Sequence, residues 1–489
     1  MSKDSQATTP LLSALQTCAG KPDAPFYAPG HKRGQGTPQR LTDLLGLPVF
    51  QADLPELPEL DNLFAPEGVI AEAQQLATAA FGAAQTWFLV NGSTAGIIAS
   101  ILATCGVGDK IILPRNAHRS AISGLILSGA IPIFVNPEYD PAWDLAHSIT
   151  PASVADALAA HPDAKAVMML YPTYQGVCGD LPAIAELAHQ HGIPLLVDEA
   201  HGPHFAFHPD LPSSALSAGA DLTVQSIHKV LAAMTQASML HVQGNRINRH
   251  RLAQALQLVQ STSPSYLLLA SLDAARQQMA TEGKPLLTQT LQLAQEARVR
   301  IAQISGLSVL EAPAANQAGF LALDPTRLTV SVAGLGITGY QADEILHQQL
   351  GVTAELPSLR QLTFIISMGN TAADIERLVQ AFTTLPDYAT ENKATLSPTL
   401  SLSALSTQHS ALSPRDAFFA QTETLPVEQT CSRISAESVC PYPPGIPVLI
   451  AGEIITATAL DYLQQVQRHG GTITGCSDPN LKTLKVVRE

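Results

Sequence analysis

Lys229 stands in the run Ser226-Ile227-His228-Lys229, and 31 residues before it Asp198 stands in Val197-Asp198-Glu199-Ala200-His201. A lysine amine forms an imine with an aldehyde, and a carboxylate beside a pyridine nitrogen keeps that nitrogen protonated. An acid and a lysine delivered by two successive apolar runs therefore suit pyridoxal 5'-phosphate and an amine-transforming enzyme. The runs are Ile193-Pro194-Leu195-Leu196-Val197 and Leu222-Thr223-Val224, and both read as strands ending at the chemistry. His201 and His204 lie close to Asp198 in sequence and raise metal ligation as an alternative. The three lack the i, i+4 helical spacing of a zincin, and Gly202-Pro203 breaks any helix there, so metal is disfavoured.

Other segments supply what such a cofactor needs. Asn91-Gly92-Ser93-Thr94-Ala95-Gly96 follows an apolar run and opens a helix, so its N–H groups, two hydroxyls and glycines make a phosphate cradle. An ordinary Ser/Thr N-cap is the bland alternative. Ser226 and His228 can also hold a phosphate. His118, in Arg115-Asn116-Ala117-His118, follows a strand end, where α/β ligands bind, and can stack on a flat ring; a helix-capping histidine is the other reading. Ser261-Thr262-Ser263-Pro264 offers further hydroxyls, or a helix start.

The elements that must position these groups alternate. From Gly68 to about Val242, helices are expected at 71–81, 94–104, 117–127, 153–160 and 181–191. Strands are expected at 86–90, 110–113, 131–135 and 166–170, besides the two that carry Asp198 and Lys229. This spacing implies parallel βαβ units and a doubly wound α/β sheet. Residues 1–65 read as a Pro-rich N-terminal segment, irregular after one short helix at 9–17. The large α/β domain is expected at 66–310, with long helices over 250–305. A small α+β domain follows at 311–385, with strands near 319–323, 327–332 and 361–366 and a helix at 338–350. A Ser/Thr/Leu/Pro-dense linker at 386–413 leads to a C-terminal α+β domain at 414–489.

The chain has 489 residues, 46% hydrophobic and only 14% charged, which is globular composition. With 41 acidic against 27 basic residues its net charge is −14, which disfavours nucleic acid and anionic membrane as partners. The six scattered cysteines include no C-x-x-C pair and fit a reducing cytoplasm. The first residues have no apolar signal-peptide core, and the apolar run 125–135 is too short to span a bilayer.

As a set, these segments resemble the Orn/Lys/Arg decarboxylase family of PLP fold type I. The matching runs are Pro29-Gly30-His31-Lys32-Arg33-Gly34, Asn91-Gly92-Ser93-Thr94, Arg115-Asn116-Ala117-His118 and Tyr171-Pro172-Thr173-Tyr174-Gln175-Gly176. They continue with Asp198-Glu199-Ala200-His201-Gly202, Gln225-Ser226-Ile227-His228-Lys229, Ser261 to Pro264, and Pro441 to Pro447 followed by Gly452-Glu453. The resemblance implies an aspartate-aminotransferase-like α/β fold with a mostly parallel seven-stranded sheet. It makes Lys229 the Schiff-base lysine and Asp198 the partner of the ring nitrogen. His118 would stack on one ring face and Ala200 pack on the other. Gly92, Ser93, Thr94, Ser226 and His228 would hold the phosphate, with His201 nearby. Ser261 or Thr262 would reach it from a neighbouring subunit, so a homodimer or dimer of dimers is implied. With no room for a flavodoxin-like wing before Pro29, the chain resembles the short form. It departs from the pattern at Ile227, where Thr is common, and at Cys440, where an aliphatic residue is usual. Cys440 reads either as a thiol tuning the pocket or as a small buried hydrophobe, and the second is favoured.

The activity implied is decarboxylation of lysine, arginine or ornithine to a polyamine-pathway amine, with lysine or arginine favoured. Lys229 or His228 would return the proton to Cα. The substrate's distal cation needs an acid, and Glu437, Glu453, Asp61 and Glu56 are the candidates. Two other readings stay open: another fold-type-I enzyme such as an aminotransferase or lyase, for which Arg360 would bind the α-carboxylate, and a non-enzymatic binding protein, against which Lys229 argues.

Overall fold

The computed structural model describes residues 3–314, 317–389, 410–442 and 445–488. A seven-stranded, mostly parallel sheet forms its framework. In spatial order the strands are Gln85–Leu89, Ser238–Val242, Leu222–Gln225, Leu195–Asp198, Ala166–Leu170, Lys110–Pro114 and Ile131–Val135. Lys110–Pro114 runs parallel to both its neighbours, as βαβ connections require. The interior strands are apolar without alternation: Leu195, Leu196 and Val197 are all completely buried, the mark of a strand covered on both faces. The strand Ser238–Val242 escapes sequence reading. It is antiparallel to both neighbours, and its buried Ser238 and His241 hide the apolar signal.

The chain divides into two compact units, 1–103 with 198–287, and 104–197 with 288–489. In the first, the helix Pro10–Ala19 is fixed by buried polar groups of the long helix Tyr266–Ala302. Asp273 Oδ2 accepts from Leu11 N at 3.0 Å, and the Arg276 guanidinium donates to the carbonyls of Gln6 and Thr8 at 2.7 and 2.8 Å. The stretch expected to be irregular after this helix contains two more, Gln39–Leu45 and Leu47–Ala52, separated by Gly46 at φ 77°.

The second unit holds a four-stranded antiparallel sheet, in the order Ser308–Val309, Arg327–Ser331, Gln361–Ile365, Leu356–Pro357. The helices Gly339–Gln348 and Ala372–Ala389 bury Leu346, Phe382 and Leu385 in the same cluster as Val330 and Leu362. Thr338 and Gln341 form a capping box at the start of the first of these helices. Residues 319–323, expected in this sheet, do something else: after Gly319 turns at φ 70°, Ala322–Leu323 pairs with Val177–Cys178. The helix ending at Ala389 extends into the start of the stretch expected as a linker, whose residues 390–409 lie outside the described residues. Pro443 and Pro444 of the Pro-Tyr-Pro-Pro run also lie outside them. Beyond, Thr422–Pro426 pairs with Thr483–Val487 and Cys440–Tyr442 with Thr472–Thr474. The helix Ala457–Arg468 packs its Leu463 and Val466 into this last core. Among the described residues no helix is long and apolar enough to cross a membrane.

Candidate active site

The first unit brings together most of the residues expected to act. The strand Gln85–Leu89 leads through Val90 and Asn91 into the helix Gly92–Thr104. Gly92 takes φ 73°, a conformation that costs glycine least, and starts a helix whose first N–H groups have no partner within it. Gly96 lets this helix lie against the sheet: a Cβ there would fall 2.6 Å from Val224 Cγ1 and 2.7 Å from Leu89 Cδ1. At the helix start the Ser226 hydroxyl donates to Ser93 Oγ at 2.8 Å. Two hydroxyls from segments 133 residues apart thus meet at a helix N-terminus, with Thr94 exposed beside them.

One helical turn, Ile227–Val230, carries Lys229 away from the strand end. Ile227 is completely buried, so its apolar side chain is accommodated by packing. Lys229 Nζ donates to His201 Nε2 at 3.0 Å. Asp198 is buried at the end of its strand and accepts from Ala200 N at 3.2 Å. Burial pushes its carboxyl above the usual range, while the charge on Lys229 and the Ala200 N–H pull it down. Burial, and then Lys229, lower the half-buried His228 below the ordinary histidine value, which makes its ring neutral near pH 7. Ala200 is buried next to Asp198, whereas Ser261 and Thr262 are exposed. The set of hydroxyls at a helix start, a buried acid at a strand end and a lysine beside it fits a phosphorylated pyridine aldehyde. Among the described residues there is no group of three or more His, Cys, Asp or Glu able to hold a metal.

His118 belongs to the second unit. It caps the helix Arg119–Ser128, its Nδ1 accepting from Ser120 N at 3.2 Å, which leaves the proton on Nε2. Arg115, three residues earlier, donates to the carbonyls of Pro447 and Val448 and pairs with Glu453 at 2.9 Å, both partners buried. The run after Pro441 is thereby tied to the strand end that leads to His118. Cys440 is buried, and burial pushes its thiol up to about 11, the behaviour of a small hydrophobe.

The acids expected near a substrate cation are each engaged at home. Glu453 pairs with Arg115 and accepts from Ile450 N at 2.8 Å. Glu437 accepts from Ser477 N and Oγ, both at 2.6 Å, and from Lys485 N at 2.9 Å. Asp61 accepts the N–H groups of Glu67, Gly68, Ile70 and Ala71 and so caps the helix Val69–Phe81. Glu56 accepts from Asn62 Nδ2 at 2.8 Å.

Two positioning residues were missed in the sequence. Gln236 Nε2 donates to Val90 O at 2.6 Å, and Gln260 Oε1 accepts from Val90 N at 2.9 Å. Asn91 Oδ1 accepts from Ser261 N at 3.1 Å, so three long-range bonds hold the residues that enter the cradle. Nothing in the pattern around either glutamine marks such a contact.

Comparison with known proteins gives the family. The family described as Orn/Lys/Arg decarboxylase, major domain, matches residues 9–374, and its C-terminal domain matches 400–478. The chain belongs to the Orn/Lys/Arg decarboxylase family. It is an enzyme of that class, and its reaction is decarboxylation of a basic amino acid. It is 41% identical over 491 residues to the arginine decarboxylase of Bacillus subtilis, covering 99% of each protein. To lysine decarboxylase LdcA of Pseudomonas aeruginosa it is 26% identical, over 93% of this chain and 75% of that one. The structure of Francisella novicida lysine decarboxylase LdcF shares the fold, with a TM-score of 0.83 at 23% identity, covering 99% of this chain and 82% of that one. The fold is fold type I of the PLP enzymes.

Proposed function

We propose that this Orn/Lys/Arg decarboxylase acts on arginine, with pyridoxal 5'-phosphate carried on Lys229. The observation that carries the reading is that Asp198, buried at its strand end, feels the charge of Lys229, whose Nζ is hydrogen-bonded to His201 at 3.0 Å. Full-length identity of 41–42% to proteins named arginine decarboxylase supports the choice of substrate. Ser93, Thr94, Ser226 and the N–H groups from Gly92 onward would hold the phosphate. Asp198 would hold a proton on the ring nitrogen, with Ala200 and His118 against the ring faces. When bound, the cofactor supplies a ring that stores the electron pair left as CO2 departs. Lys229, hydrogen-bonded to His201, holds a proton on Nζ that can pass to Cα of the product. His228, the alternative donor, would first have to take up a proton, which burial and the neighbouring Lys229 charge disfavour. The hydroxyls of Ser261 and Thr262, exposed in the single chain, fit a role in a neighbouring copy's site, so the working unit is a homo-oligomer. The acidic charge and scattered free cysteines fit a cytoplasmic enzyme.

Two measurements test this reading. The purified protein should absorb near ~420 nm, and Lys229→Ala should lose both that band and turnover; a band retained in the variant would overturn the assignment. Released CO2, measured from arginine, lysine and ornithine side by side, should be greatest with arginine. Amino transfer from a keto acid with no CO2 from any of the three would favour an aminotransferase instead.

A further inference from the structure

Asp144 sits on the turn between the short strands Tyr139–Asp140 and Leu145–Ala146, at φ 51°. Aspartate tolerates that backbone region better than most residues, so a turn acid is the bland reading of its sequence. Its surroundings are not those of a surface turn. Asp144 lines a cavity of about 120 Å³ in the second unit, together with Asn116, Tyr174, Tyr340 and Tyr462. It is the only charged side chain among the described residues of that lining. The Tyr139 hydroxyl donates to Oδ1, and Oδ2 has no hydrogen bond among the described residues. Burial raises the Asp144 carboxyl, while the Tyr139 hydroxyl and the charge of Arg360 oppose the rise. Burial and the same negative charge raise the Tyr340 phenol to about 12 and push Tyr462 up as well. An acid desolvated among phenols is costly to ionise alone and is relieved by a cation.

The size of the cavity limits what it takes. Pockets that enclose whole ligands measure roughly 300–1,000 Å³, so about 120 Å³ suits one end of a molecule. Tyrosine walls around a carboxylate suit an organic cation, which gains from the ring faces as well as from the charge. The lining also includes Asn116, two residues before His118, and Thr173, Tyr174 and Gln175. The cavity therefore adjoins the segment that presents His118.

We propose that this cavity receives the distal cation of the amino-acid substrate, with Asp144 Oδ2 accepting from its guanidinium or ammonium N–H and Tyr340 and Tyr462 walling it. This rests on the reading of the chain as a basic amino-acid decarboxylase. It assigns the substrate's charge to an acid other than Glu437, Glu453 and Asp61.

Steady-state kinetics on the holoenzyme test it. Asp144→Asn should raise KM for arginine about 10- to 100-fold, the loss expected for a charge-assisted hydrogen bond, with kcat changed little. Asp144→Glu should recover part of the loss. An unchanged KM in an Asp144→Asn enzyme that turns over would overturn the proposal while leaving the decarboxylase reading intact. Calorimetry with methylguanidine and propylamine supplies an arm that needs neither turnover nor a stable variant. Either should bind the wild-type holoenzyme, compete with arginine and lose affinity in Asp144→Asn. Binding retained in the variant, or no binding to the wild type, counts against the cavity. If the wild type releases no CO2 from any basic amino acid yet binds methylguanidine through Asp144, the activity reading fails and the cation site stands.

Discussion

Asp198 and Glu199 are neighbours in the chain, both buried, and burial raises both carboxyls, yet they belong to different regions of the first unit. Side chains at successive positions of an extended strand leave on opposite sides. Asp198 shares its side with the charge of Lys229 and accepts from a backbone donor, Ala200 N. Glu199 meets neutral donors only: Ala215 N at 2.7 Å, Thr223 Oγ1 at 2.8 Å and Gln225 Nε2 at 2.9 Å. From Gln225 the chain of bonds continues to His241 Nε2 at 3.1 Å and on to Thr86 at 2.8 Å, and the His241 ring stacks on Phe81 with centroids 4.6 Å apart. Equal burial thus yields two kinds of acid. One feels the charge of a lysine; the other is saturated by dipoles and joins the strands of the sheet.

The comparison breaks most sharply at Asp198. Asn at that position keeps the shape and the bond from Ala200 but removes the charge. An opposite charge at close range is worth one to three pKa units to its partner, so losing it should cost activity about 10- to 1,000-fold. The melting temperature of the holoenzyme should stay near that of the wild type, because Ala200 N keeps its acceptor and the new amide faces the ring nitrogen proposed for Asp198. Specific activity and thermal unfolding measured on the same preparation check both halves. An Asp198→Asn enzyme within twofold of wild-type kcat would place Asp198 with Glu199 among the architectural acids.

Asp198 was legible in the sequence and Glu199's role was not, for a physical reason. Asp198, Lys229, Ser93 and Ser226 follow short apolar runs that end in polar residues, and that local pattern marks a strand's crevice end. Glu199 depends on Gln225 and His241, which meet it only once three strands are paired. His241 also belongs to the strand missed in the sequence, because polar residues buried by sheet pairing resemble a loop. Asp144 was missed in the same way: Asp140-Pro141-Ala142-Trp143-Asp144 has turn composition, and only tertiary packing places tyrosines around it. Gln236 and Gln260 likewise act through Val90, at separations of 146 and 170 residues. Local pattern was enough for the main α/β alternation, while long-range polar contacts were not readable from it.

Glu199 should respond in the opposite sense to Asp198. Glu199→Ala would leave Ala215 N, Thr223 Oγ1 and Gln225 Nε2 without their acceptor, a loss of about 3 kcal/mol in unfolding free energy. Glu199→Gln should cost only about 1 kcal/mol, because the network can reverse. The new amide donates to Gln225 Oε1 once Gln225 flips, Gln225 Nε2 then donates to His241 Nε2, and His241 donates from Nδ1 to Thr86. Urea unfolding of both variants checks the order, with turnover of the folded glutamine variant close to wild type. Equal destabilisation by Ala and Gln would mean that the bonds around Glu199 do not form one reversible chain.

The pH dependence of stability, at about 1 kcal/mol per pH unit, separates the two ends of that chain. Burial lowers His241 to about 3, against an ordinary value of 6.5. Between those values only the unfolded chain takes the proton, so its stabilising contribution is whole above pH 6.5 and is lost as pH falls toward 3. Burial raises Glu199 from 4.5 to about 7, against the bonds it accepts. Here the folded state holds the proton longer, so the contribution is whole below pH 4.5 and is lost as pH rises through 7. Each slope is at most about 1.4 kcal/mol per pH unit, with opposite signs, so the two should nearly cancel from pH 6.5 down to 4.5. Glu199→Gln removes one arm. Relative to wild type, its unfolding free energy should fall by about 1 kcal/mol for each pH unit between 6.5 and 5, other titrations cancelling in the difference. Parallel pH profiles for the two proteins would show that Glu199 does not hold its proton in the folded chain, and would move it toward the ionised, Asp198-like side of the comparison.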